Sequence, residues 1–248
     1  MYNIIKILYS LSLIKRLFTM TLDTNASSTI PSLSAVEIEP TQTATASVIW
    51  MHGLGADGND FRDVIPALNL PSTLAIRFIF PNAPKLAVTI NNGLVMPAWY
   101  DILAMDIDRT IDTKQLTASS TLVGEFVSRE LERGILGERI IIAGFSQGGA
   151  VAYELALSHP KRLGGLMAFS TYFATKETIK LSPMNQDLPI LIAHGTHDNV
   201  VPCILGEQAN TLLKAKNYAT EYKTYPMEHS LCIEQINDVS AWLQARLL

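Results

Sequence analysis

The chain predicts a single α/β domain built on a mostly parallel sheet, with helices on both faces and a small hairpin or lid inserted between two strands. Three observations carry that prediction: short runs that are apolar at every position, segments of helical period between them, and no linker or repeat from Ala46 onward. A strand that is apolar throughout needs cover on both faces, and crossover helices supply it in a parallel sheet.

Residues 1–45 read as an extension and residues 46–248 as the domain. The first twenty residues, MYNIIKILYSLSLIKRLFTM, are apolar and basic. Lys6, Lys15 and Arg16 interrupt or end the apolar run and no A-x-A-like site follows, which argues against a signal peptide and a spanning helix. Ile4, Ile7, Leu8, Leu11, Ile14 and Phe18 share one helical face, as in a helix lying on a membrane surface. The plainer alternative is a translated upstream region without a role, with Met20 as a second start and a polar, Ser/Thr-rich leader after it.

Within the domain, strands are expected at SVIWMH, TLAIRFIF, RIIIAGF, GGLMAFS and PILIAHG, with EYKTYP as an edge strand. Leu122, Phe126 and Leu131 give Ala118–Leu131 a helical period. A second helix follows Ser146 over Gln147–Leu157. Ile233, Ile236, Val239, Trp242 and Leu243 form the apolar face of a third. Between Pro84 and Gln115, Asn92-Gly93 is a tight-turn signal between apolar arms, which predicts a hairpin.

Composition narrows the function. The 248 residues are 48% hydrophobic and 17% charged, which excludes a disordered chain. The net charge of -4 and isoelectric point near 5.7 leave no basic surplus for phosphates, so no nucleic-acid partner is expected. The two cysteines, Cys203 and Cys232, lack the number for a disulfide framework and the spacing for a redox or zinc site. They read as small buried hydrophobes in a protein of the reducing cytoplasm, either free there or peripheral on a membrane.

Chemistry concentrates in Ile140–Ala150, IIIAGFSQGGA, where a strand turns directly into a helix at a serine. Gly144 and Gly148 give room for a sharp turn, and Ser146 projects above the sheet edge at a helix N-terminus, the G-x-S-x-G nucleophile elbow. A serine hydroxyl needs a base, and the base needs an acid to hold its tautomer. Asp198 follows the run PILIAHG in the turn GTHDNVVP, and His229 lies in the loop YPMEHS before the last helix. Ser146, Asp198 and His229 follow the order serine, acid, histidine.

The other histidines read as structural. His159 precedes Pro160 at a helix end, while His194 and His197 flank the acid turn and shape it by hydrogen bonds. A metal site from His194, His197 and Asp198 lacks a further ligand, so neither metal nor organic cofactor is expected. The oxyanion hole is expected from the backbone amides of Gln147, the residue after the nucleophile, and of Leu54 in the loop HGLG that follows the first strand.

HGLGADGNDF, FPNAP, MPAWYDI, GFSQGGA, HGTHDNVVP and YPMEHS, in this order, resemble the acyl-protein thioesterase and carboxylesterase family of α/β hydrolases, which includes lysophospholipase-like members. The resemblance runs from about Ala46 to the C-terminus. It implies Ser146, Asp198 and His229 as the triad and Leu54 and Gln147 as oxyanion donors, the residues the chemistry already singles out. Glu228 departs from the glycine that many relatives carry beside the base.

The expected activity is that of a serine hydrolase cleaving carboxylic esters or thioesters of apolar acyl groups through an acyl-enzyme. The expected substrate is a small acyl ester, a lysophospholipid or an acylated protein. Leu86, Val88, Leu94, Met96 and Trp99, in the 84–115 segment, are expected to line an acyl groove, with packing over the sheet edge as the alternative. Val95, Ile102, Leu103, Met105 and Ile107 add to the same apolar segment, which would equally serve a homodimer contact. The competing function is a membrane-docked acyl-binding protein with little turnover.

Overall fold

The computed structural model describes residues 32–105 and 109–248. The amphipathic face proposed within residues 1–20, and Ile107 of the apolar segment, lie outside these described residues.

Seven strands form the main sheet: β1 (Ala35–Ile38), β2 (Ala46–Met51), β3 (Ile76–Pro81), β8 (Ile140–Phe145), β9 (Gly165–Phe169), β10 (Ile190–Gly195) and β11 (Thr220–Tyr225). Their spatial order is β1-β3-β2-β8-β9-β10-β11. All neighbours run parallel except β1, which is antiparallel to β3. The six expected strands are thus present as one sheet. Strands β2 and β10 are buried along their whole length and β8 as far as Gly144, which is why their sequences show no polar alternation.

Alternate residues of each strand feed two separate cores. On one face, Ile49, Ile142, Ala168 and Ile192 meet helices α2 (Thr113–Glu132), α3 (Gln147–Ser158) and α4 (Cys203–Ala215). On the other, Trp50, Ala143, Phe169 and Ala193 meet α5 (Ile233–Leu247) and the segment around the short α1 (Val64–Ala67). Helices therefore cover both faces, and Trp50 stacks on Phe61 with ring centroids 5.1 Å apart. Cys203 and Cys232 are half-buried free thiols, more open than the enclosed hydrophobes the sequence suggested.

The sheet begins before the expected boundary at Ala46. Strand β1 is short, half-buried and carries Glu37 at its centre, so it lacks the continuous apolar run that marks the other strands. Ion pairs hold it instead: Glu37 accepts from Arg129 at 2.6 Å and Arg133 at 3.2 Å on α2. Both arginines also reach the buried Glu130, whose second oxygen accepts from Ser47 at 2.6 Å and Arg77 at 2.5 Å.

The inserted segment forms two small ribbons. In the first, β4 (Lys85–Val88) pairs antiparallel with β5 (Leu94–Pro97). The connection spans residues 89–93 and includes a 3-10 turn, longer than a two-residue Asn-Gly hairpin. Asn92 and Gly93 take the left-handed conformations the sequence suggested, at φ 56° and 75°. In the second, β6 (Ile102–Ala104) pairs with β7 (Thr110–Ile111).

Candidate active site

Strand β8 ends at Phe145, α3 begins at Gln147, and Ser146 between them has φ 54° and ψ -121°. A non-glycine residue held there stores about 1–3 kcal/mol of backbone strain. Hydrogen bonds hold the conformation: the Ser146 amide donates to the Phe169 carbonyl at 2.9 Å, and the Ser146 carbonyl accepts from Thr171 Oγ1 at 2.6 Å and from the amides of Gly149 at 3.0 Å and Ala150 at 3.4 Å. The flanking glycines are required by close approach. A Cβ on Gly144 would overlap the Gly148 carbonyl, and one on Gly148 would lie 2.5 Å from the His52 carbonyl.

The loop after β2 lies against this elbow. A Cβ on Gly53 would sit 3.4 Å from Ser146 Cβ. His52 sets the loop shape from the inside: it is 1% exposed, its Nδ1 is 2.7 Å from the Gly53 carbonyl, and its Nε2 accepts from the Ala83 amide at 3.1 Å. Those roles fix a neutral ring with the proton on Nδ1. Burial lowers its proton affinity, against the opposing pull of the Gly53 carbonyl. Leu54 follows, half-buried, and its amide makes no backbone hydrogen bond among the described residues. The Gln147 amide opens α3, where first-turn amides have no intrahelical partner.

The side chain of Gln147 has a role that sequence reasoning missed. Its Oε1 accepts from the Trp99 amide and its Nε2 donates to the Tyr100 carbonyl, both at 2.7 Å. The Gly55 amide donates to the Pro97 carbonyl at 2.8 Å, and Trp99 Nε1 donates to the His52 carbonyl at 2.8 Å. The inserted segment is therefore stitched to both sides of the elbow. Gln147 is 2% exposed, so its amide must spend its hydrogen bonds inside the protein, and nothing in the sequence marks the partners it takes.

Asp198 and His229 come together from the ends of β10 and β11. His229 Nδ1 is 2.7 Å from Asp198 Oδ2, and the other carboxylate oxygen accepts from the amides of Val200 at 3.0 Å and Val201 at 2.7 Å. Burial pushes the Asp198 carboxyl up, but hydrogen bonds from His194, His229 and the Val201 amide outweigh it and hold the group well below the usual carboxylate range. The His229 ring rests on Phe145, centroids 4.7 Å apart, beside the serine. With Nδ1 committed to Asp198, Nε2 is the nitrogen left for a hydroxyl. Gly195 lets the two loops close, because a Cβ there would lie 2.5 Å from the Glu228 carbonyl.

His159 and His194 are enclosed, whereas His197, expected to shape the acid turn by hydrogen bonds, lies exposed. His159 is 9% exposed and bonds within its own helix-end turn, with Nδ1 3.1 Å from the Lys161 carbonyl. Among the described residues no cluster of His, Cys, Asp or Glu converges to hold a metal ion, and no helix is long and apolar enough to cross a membrane.

The five expected groove residues do not share one environment. Leu86 and Met96 are half-buried, and the Met96 sulfur lies 3.8 Å from where a Gly55 Cβ would stand, beside the oxyanion loop. Leu94 is 62% exposed on the hairpin. Val88 and Trp99 must be withdrawn as lining residues in this conformation. Val88 is fully enclosed, and Trp99, 1% exposed, packs beneath the loop with its N–H spent on His52.

Residues 33–247 match the model of the family described as phospholipase/carboxylesterase. The chain is 34% identical over 214 residues to acyl-protein thioesterase 1 of Gibberella zeae, covering 82% of this chain and 91% of that one. It is 39% identical over 175 residues to acyl-protein thioesterase 1 of Schizosaccharomyces pombe, covering 70% and 77%. The crystal structure of Zea mays acyl-protein thioesterase 2 superposes with a TM-score of 0.76 at 28% identity, covering 87% of this chain and 99% of that one.

Proposed function

The chain belongs to the phospholipase/carboxylesterase family of α/β hydrolases, and from that premise we propose a serine hydrolase that cleaves esters or thioesters of apolar acyl groups. Ser146 is the nucleophile, His229 the general base and acid, and Asp198 the residue that holds the imidazole tautomer. The observation that carries this assignment is the 2.7 Å bond between His229 and Asp198, formed beside a serine whose backbone is held in a strained turn.

Ser146 Oγ attacks the acyl carbonyl while His229 Nε2 takes its proton. The carbonyl oxygen becomes negative and is received by the amides of Leu54 and Gln147, each such donor contributing about 3–4 kcal/mol to the rate. Collapse breaks the bond to the leaving alcohol or thiol, which His229 protonates. Water then attacks the acyl-enzyme by the same path and releases the acid. Asp198 stays ionised throughout, in keeping with the bonds that hold its carboxyl low.

The relatives named acyl-protein thioesterase favour a thioester on an acylated protein as the substrate. The exposed hairpin residues Leu94 and Val95 fit an acyl chain delivered from an apolar surface, such as a lysophospholipid in a membrane or a lipidated protein. A homodimer contact through the same hairpin is the other use of that surface. The test is hydrolysis of nitrophenyl esters from acetyl to long-chain acyl, and of matching acyl thioesters, by the wild type and Ser146→Ala. Turnover abolished by Ser146→Ala is the expected result. A folded wild type that binds the acyl chain without cleaving either series would instead establish the acyl-binding protein.

A further inference from the structure

The turn that carries Asp198 is gripped on its outer side as well as its inner one. The amides of Val200 and Val201 point inward to Asp198 Oδ1. The carbonyls of the same two residues are each taken by a side chain from elsewhere. Arg109 Nη2 donates to the Val200 carbonyl, and His194 Nε2 lies 2.8 Å from the Val201 carbonyl. A carbonyl only accepts, so the His194 proton sits on Nε2. The same nitrogen is 3.5 Å from Asp198 Oδ2, the oxygen that receives His229.

The ring has no freedom to do otherwise. His194 is fully enclosed, its Nδ1 has no partner, and a Cβ on Gly206 of α4 would stand 2.5 Å from that nitrogen. A buried imidazole with one idle nitrogen is a costly choice where packing alone is needed, since an apolar ring would fill the space without an orphaned acceptor. The titratable groups that face the Asp198 carboxylate are His194 and His229, and Arg109 lies beyond the Val200 peptide, its guanidinium 5.4 Å over the Tyr172 ring.

We propose that His194 is a positioning residue for the catalytic acid: its Nε2–H anchors the Val201 carbonyl and shares Asp198 Oδ2, so that His229 meets a carboxylate fixed in place and partly satisfied. This rests on Ser146, Asp198 and His229 being the triad. His194 touches neither substrate nor the reacting atoms, and its effect passes through Asp198.

The experiment compares kcat, KM and the pH profile of kcat/KM for full-length wild type, His194→Phe, His194→Gln and His194→Asn on one nitrophenyl ester, with active sites counted by a fluorophosphonate. His194→Phe should lower kcat per active site about ten- to a hundredfold with KM within about twofold, the scale of a displaced catalytic group. The acid limb of its profile should move to higher pH, because Oδ2 relieved of a second donor stabilises the protonated base more strongly. His194→Gln places an amide where Nε2 sits and should restore both readouts. His194→Asn reaches only the Nδ1 position and should behave like His194→Phe.

A fall in kcat with an unmoved acid limb would make His194 a packing residue and overturn the proposal. If His194→Phe does not fold, the glutamine and asparagine variants decide, and equal behaviour of the two overturns it. Ser146→Ala and Asp198→Asn separate the two levels. Wild-type turnover in those controls would sink the triad itself, whereas their inactivity beside an unaffected His194→Phe would sink only the role of His194.

Discussion

Replacing Gly148 by alanine should lower the activity of the folded enzyme as well as its stability. A Cβ at Gly148 would lie 2.5 Å from the His52 carbonyl, 2.6 Å from the Met51 carbonyl and 2.7 Å from Met51 Cβ, against ordinary contact from about 3.4 Å. Relief needs a separation of about 0.9 Å between α3 and the end of β2. Met51 is fully enclosed and cannot yield alone, so the displacement falls between the Ser146–Gln147 elbow and the His52–Gly55 loop. Overpacking of this size costs about 1–3 kcal/mol of stability. A misplacement near 1 Å costs about a hundredfold in rate.

The assay is kcat/KM on a nitrophenyl ester, paired with urea denaturation so that rate is compared among folded molecules. Gly124→Ala is the control. Gly124 lies within α2, its added Cβ would meet only Leu155 Cδ1 at 3.5 Å, and alanine there should add about 1 kcal/mol of stability at unchanged rate. A folded Gly148→Ala variant with kcat/KM within about twofold of wild type would refute the assignment of that interface to catalysis.

Two further outcomes follow from the same geometry. Ser146→Gly should be more stable than Ser146→Ala by about 1–3 kcal/mol in urea titrations, because glycine accepts φ 54° and ψ -121° without strain while alanine does not; equal midpoints would mean the turn is unstrained. Stability should also fall as pH drops below 6.5, because burial, only partly opposed by backbone carbonyls, drives His52 and His159 below that ordinary value and the unfolded chain then binds more protons. Asp198 adds a later loss below its ordinary 3.8, as pH falls toward its depressed folded value. A urea midpoint that holds or rises between pH 7.5 and pH 5.5 would contradict the histidine part.

The parallel sheet was legible because its strands are buried on both faces and therefore spell themselves as unbroken apolar runs. Strand β1 was not, since three half-buried residues and an exposed Glu37 at an edge carry no such pattern and depend on Glu37 meeting Arg129 and Arg133 from a distant helix. Helix α4 also escaped notice. The pairing of Asp198 with His229 could be reasoned from chemistry and chain order before any coordinate was known. That His194 hydrogen-bonds the acid turn was legible too, though not that its partner is the Val201 carbonyl. The side-chain contacts of Gln147 and the burial of Val88 and Trp99 were not, because each depends on which loops the sheet brings to one edge. A hydrophobic residue in the inserted segment looks the same in sequence whether it packs under the site or lines it.

The most direct measurement is to treat the full-length protein with a fluorophosphonate and locate the adduct by peptide mass spectrometry. A single adduct on Ser146, formed much more slowly in His229→Ala, is the result expected if the elbow serine is activated by the histidine that Asp198 holds. A folded, ester-hydrolysing protein that is labelled on another residue, or on Ser146 at the same rate without His229, would contradict it.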